Sequence, residues 1–125
     1  MSEAARRLRE IVVEGVLDGP GVASHAARRA AFENRLGSGP AAVLVDKVVR
    51  HAWKVTDEDV DAAKLAGVRE DEIFELTVSA ALGASTRQLR AALAVLDAAT
   101  RPESALAASP ADASDPAAQD DGRNP

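Results

Sequence analysis

The chain contains no cysteine and no tyrosine, and only three aromatic residues, Phe32, Trp53 and Phe74, among its 125 positions. Without a thiol it forms no disulfide, offers no thiolate to a metal and cannot attack a peroxide through sulfur. A reducing cytoplasm keeps thiols free in any case, so the absence alone does not place the protein. No run of about 18 apolar residues is present, and no membrane span is expected. The opening MSEAARRLRE is charged and lacks the apolar core of a signal peptide, which makes a cytoplasmic location the default expectation. Acids outnumber bases, 20 to 15. The net charge is −5, and residues 101–125 hold five acids against two arginines. The near-neutral body lacks the basic surface that nucleic acid demands, so no nucleic-acid partner is expected. Arg6, Arg7 and Arg9, and the pair Arg28 and Arg29, read as solvated helix faces.

What the chain has in abundance is alanine. Alanine loses no side-chain entropy in a helix, whereas the scarce aromatics are typical of strands, so the fold class is all-α, with five or six helices over residues 1–100. A core of Ala, Val and Leu is thin for a chain of this length. Burial completed between copies of the chain is therefore expected, and a homo-oligomer follows as the expected partner state. Residues 101–125, rich in Pro, Ala, Ser and Asp, cannot bury enough apolar area to offset ordering and read as a disordered acidic tail.

Ser2 is placed to cap a first helix whose apolar face is Leu8, Ile11, Val12 and Val16, ended by DGPG at residues 18–21. Ser24 caps a second helix expected to reach Leu36, with Gly37 as its left-handed terminator and Phe32 as its anchor. A third helix begins near Pro40 and carries Ala41, Leu44, Val45, Val48 and Ala52 on one face. Thr56-Asp57-Glu58-Asp59 opens a fourth helix as a capping box, and Gly67 stops it. The last segment places Ile73, Leu76, Thr77, Ala80 and Ala81 on one face, and Gly83 with Ser85 and Thr86 suggests a break or kink before Leu89, Ala92, Leu93 and Leu96 resume the spacing.

The order of residues in DEDVDAAKLAGVREDEIFELTVSAALGA resembles the carboxymuconolactone decarboxylase and alkylhydroperoxidase-D-like (AhpD-like) family. AKLAG at 63–67 is similar to the A-x-x-x-G helix end of that family, VREDEIFEL at 68–76 to its turn and acidic helix start, and VSAALGASTRQLRAAL at 78–93 to its long helix. VLDGPG at 16–21 is similar to an opening found in cysteine-free relatives. The resemblance implies an AhpD-like helical bundle and a trimeric or hexameric assembly. It also implies a CxxCxxxH motif whose positions fall on Ala52, Val55 and Asp59. All three are altered, so the peroxidase activity of the family is not expected here.

Four residues around the altered motif could still carry chemistry. His51 reads as a general base, Lys47 or Arg50 as an anion clamp, and Asp46 as the acid that orients the base. The other reading is a charged, solvated helix face with Trp53 packed at a subunit interface. His25 is isolated near a loop. Glu72 and Glu75 open the last helix, either as complements to its positive end or as a proton relay. No cofactor and no metal are expected, because two histidines without cysteine give no ligand set and no glycine-rich phosphate loop is present. The functional expectation is an oligomeric protein that binds a small molecule or a partner. The alternative is a cysteine-independent enzyme moving a proton on a small carboxylate.

Overall fold

The computed structural model describes residues 1–102. They form five α-helices, α1 Glu3–Asp18, α2 His25–Phe32, α3 Ala42–His51, α4 Asp57–Leu65 and α5 Glu70–Thr100, with one 3-10 turn at Ala52–Lys54. There is no strand among the described residues. The all-α expectation therefore holds, while the expected acidic tail lies almost wholly outside the described residues. By its contacts the chain divides into two compact units, Met1–Arg90 and the part from Ala91 onward.

Within the first unit the helix starts obey local chemistry. The Ser2 hydroxyl accepts from the Ala5 amide at 3.1 Å and the Ser24 hydroxyl from the Ala27 amide at 3.0 Å. Thr56 and Asp59 close a reciprocal capping box on α4. Gly67 ends that helix region at φ +99°, a conformation open to glycine because it has no Cβ to clash.

The core is a cluster of Ala31, Leu44, Val45, Ile73, Leu76 and Ala80 with their neighbours, supplied by α2, α3 and α5. Leu44, Val45 and Val48 come from one stripe of α3, and Ile73, Leu76 and Ala80 from one stripe of α5, as the spacing predicts. Each buried Leu, Ile or Val contributes roughly 1.5–3 kcal/mol relative to exposure, so half a dozen outweigh any surface term. Ala41, although buried, has no side-chain cap to offer, and α3 starts at Ala42, two residues after Pro40.

Four expectations are corrected. Of the apolar face expected on α1, only Val16 turns inward: Leu8, Ile11 and Val12 are 64%, 54% and 55% exposed, and Val13 and Leu17 take the inner side with Val16. Arg28 is not solvated. It is 3% exposed, and its guanidinium donates to the carbonyls of Ala23 at 3.2 Å and Val16 at 3.0 Å, which satisfies the cation with backbone dipoles. The second helix ends at Phe32 rather than Leu36, since Asn34 already enters left-handed backbone at φ 53°. Finally, α5 runs unbroken through Gly83, Ser85 and Thr86. Both hydroxyls bond back to the Leu82 carbonyl, at 2.9 and 2.7 Å, and so return their polar groups to the helix rather than opening it.

Charged side chains tie the first unit together. Glu75 of α5 accepts the amide protons of Val22 and Ala23 at 2.8 and 2.6 Å, one on each carboxylate oxygen. Arg9 of α1 donates to the buried Thr86 hydroxyl at 2.6 Å. Arg29 reaches both oxygens of Asp18 at 2.7 and 2.6 Å. The second unit, as far as it is described, holds the final turns of α5. There Val95 and Leu96 are exposed, and Arg101 pairs with Asp97 at 3.0 Å.

Candidate functional site

The residues singled out by the sequence lie on the outer side of α3 and on the 3-10 turn that follows it. Burial of Leu44, Val45 and Val48 fixes the rotation of α3, and helical geometry then sends Asp46, Lys47, Arg50 and His51 away from the core. The turn at Ala52–Lys54 reverses the chain into α4, which brings Asp59 back towards α3.

Lys47 and Asp59 meet across that reversal, Nζ to Oδ2 at 2.8 Å, with side chains 33% and 22% exposed. The same Asp59 oxygen accepts the Thr56 amide at 2.8 Å and the Thr56 hydroxyl at 3.1 Å. Three donors on one carboxylate oxygen stabilise the anion, and the Asp59 pKa is lowered, first by Lys47 and then by the Thr56 backbone. Asp46 accepts Arg50 Nε at 2.8 Å and the Asn34 amide at 3.1 Å, and its pKa is lowered by those bonds, Arg50 first.

His51 joins neither acid. It makes no side-chain hydrogen bond among the described residues, and its ring stands edge-on to Trp53 at 5.2 Å and 81°. Trp53 itself is 77% exposed. The three residues proposed from sequence as a proton-transfer set are thus parted: Asp46 goes to Arg50, Lys47 to Asp59, and His51 to Trp53. Of the altered motif positions, Ala52 is exposed at the start of the turn, Val55 packs against the core, and Asp59 is the ion-paired helix cap.

A hollow of about 280 Å³ opens beside this face, lined chiefly by Asn34, Arg35, Asp46 and Arg50. Asn34 and Arg35 escaped the sequence reading because α2 was expected to run through them. Asparagine as a tolerant left-handed residue was the signal available. Glu72 and Glu75 also separate. Glu75 holds the loop after α1, with its pKa lowered first by the Ala23 amide and then by that of Val22, while Glu72 opens α5 among acids that suit its positive end. Among the described residues no group of three or more His, Asp or Glu side chains is placed to hold a metal ion. No helix among them is long and apolar enough to cross a membrane.

No protein-family model matches the chain, and neither a curated protein nor a solved structure matches it.

Proposed function

We propose that this chain is a cysteine-free member of the AhpD-like group that works by binding rather than by redox chemistry. On this reading it assembles as a homo-oligomer and takes a small polar molecule in the hollow beside α3. The observation that supports it best is the state of Asp59. The position where the family resemblance puts a catalytic histidine instead carries an ionised carboxylate committed to Lys47 and to the cap of α4. Three donors on Oδ2 hold this carboxylate ionised and in place, which favours a role in stiffening the α3–α4 reversal over one in proton transfer. The hollow offers an amide, a carboxylate and two guanidinium groups, which suits a ligand with both an anionic group and a hydrogen-bond donor. Proton transfer by His51 finds less support, because its ring stands against Trp53 and is hydrogen-bonded to neither Asp46 nor Lys47 among the described residues.

The test has two arms. Small carboxylates and amino acids are screened by thermal shift, with Asn34→Ala and Arg50→Ala as controls. A stabilising ligand whose effect both variants abolish is expected. Hydroperoxide reduction with a dithiol donor is then assayed. Turnover there, or no stabilising ligand in the first arm, overturns the reading.

A further inference from the structure

The first helix leaves an apolar flank uncovered. Leu8, Ile11 and Val12 are each more than half exposed, and the exposed Ala5 and Gly15 extend the same side of α1. Three large aliphatic residues on one flank of a helix are a surface that water disfavours, and a lone chain gains nothing from it. The neighbouring helix continues the strip. Arg9 meets Thr86, while the loop just past α1 meets Glu75, so α1 runs antiparallel to α5. On α5, Leu82 and Leu89 lie one turn to either side of Thr86 and are half-buried, away from the buried row of Ile73, Leu76 and Ala80.

The charges on α1 point to what covers this strip. Arg6, Arg7 and Arg9 lie in its first half with Glu3 and Glu10, and Glu14 and Asp18 are the charges of its second. The second half, acidic and without a base in its last turn, opposes the helix dipole, which favours bases there. Arg6 leans on Glu3, Arg9 on Thr86 and Asp18 on Arg29, but Arg7, Glu10 and Glu14 have no ion-pair partner among the described residues. Arg7 and Glu14 are seven residues apart, so they share one rim of the helix, with Ile11 midway between them. An antiparallel copy of α1 crossing at Ile11 sets Arg7 of each chain beside Glu14 of the other. It also opposes the two dipoles.

We propose that the flank of α1 bearing Leu8, Ile11 and Val12 is a two-fold interface with a second copy of this chain, with Arg7 of each copy facing Glu14 of the other. This deepens the homo-oligomer part of the reading above and rests on it. A 16-residue helix is about 24 Å long. A strip two helices wide then covers on the order of 500 Å² per copy, or about 1,000 Å² in total, near the lower bound for a specific interface. The association is therefore reversible at micromolar concentration rather than obligate.

Sedimentation of the full chain across a concentration series tests this, with Ile11→Glu, Arg7→Glu, Glu14→Arg and the double reversal Arg7→Glu/Glu14→Arg. The wild type is expected to self-associate. Ile11→Glu is expected to remain monomeric with unchanged helicity, because Ile11 is already exposed in the single chain. Each single reversal weakens association about tenfold, since two attractive pairs per dimer become repulsive, and the double reversal restores it. A monomeric wild type overturns the oligomer and the interface together. A self-associating wild type that Ile11→Glu and the single reversals leave unmoved overturns the interface alone. Should Ile11→Glu fail to fold, the three charge variants decide the question, because their side chains lie on the exposed rim.

Discussion

Gly83 of α5 lies directly against the carbonyl of Phe32 at the end of α2. A Cβ added to Gly83 would stand 2.6 Å from the Phe32 carbonyl carbon and 2.9 Å from its Cα, closer than real atoms approach. The next turn completes the junction, where Arg87 donates to the same carbonyl oxygen at 2.6 Å. The glycine that looked like a helix breaker is a crossing point at which two backbones touch.

Gly83→Ala separates the two roles. An isolated helix gains about 1 kcal/mol from that exchange. Here the overlap with backbone forces α2 and α5 apart, at a cost of about 1–3 kcal/mol beyond the gain. Urea unfolding is expected to show a lower midpoint at unchanged slope. A higher midpoint would mean that the crossing is loose.

Glu75 sets an acid limit on stability. Its folded pKa lies below the ordinary 4.5, so its contribution is complete above that value and is lost as the pH falls through the depressed folded value. Asp46 and Asp59 are lowered in the same direction from 3.8 and add to the loss. Melting temperatures of wild type and Glu75→Gln are expected to differ most near neutral pH and to converge in acid. A constant gap down to the acid limb would remove Glu75 from the account.

Thr56 and Lys47 test which contact fixes the α3–α4 reversal. Thr56→Ala removes the capping hydroxyl of α4 and is expected to cost about 1 kcal/mol. Lys47→Met removes a partly exposed ion pair while leaving the cap intact, and is expected to cost less. Denaturant midpoints of the two variants rank the effects, and the reverse order would make the ion pair the main fastening.

Trp53 reports on its own surroundings, being the sole tryptophan. At 77% exposure in the single chain its emission is expected to be that of a solvated indole and open to iodide quenching. It is also expected to be the same in wild type and Ile11→Glu, because Trp53 lies outside the α1 flank. A blue-shifted, protected emission in the wild type would put Trp53 inside an assembly contact, as the sequence reading allowed.

Local chemistry was legible in the sequence, and distant contacts were not. Ser2, Ser24 and the Thr56–Asp59 box announce helix starts because a cap needs only residues three positions apart. The buried stripes of α3 and α5 were readable because their spacing is periodic. Periodicity says that Leu8, Ile11 and Val12 share a side of α1, but not whether anything packs on that side. Arg28 looked solvated because its partners, the carbonyls of Val16 and Ala23, carry no residue signature. Gly83 misled for the same reason, since its neighbour is backbone. At the candidate site the sequence assembled Asp46, Lys47 and His51 on one helix. The return of α4 then drew Lys47 away to Asp59, a choice made by tertiary geometry.

The loop after α1 is gripped by opposite charges through neutral groups: Arg28 takes the carbonyls of Val16 and Ala23, and Glu75 the amides of Val22 and Ala23. Dissolved ions compete poorly for such contacts, because Arg28 is buried and the backbone groups that both side chains hold carry no net charge for a counter-ion to screen. Brine therefore loosens the exposed ion pairs of this chain long before it frees the strap between α1 and α2.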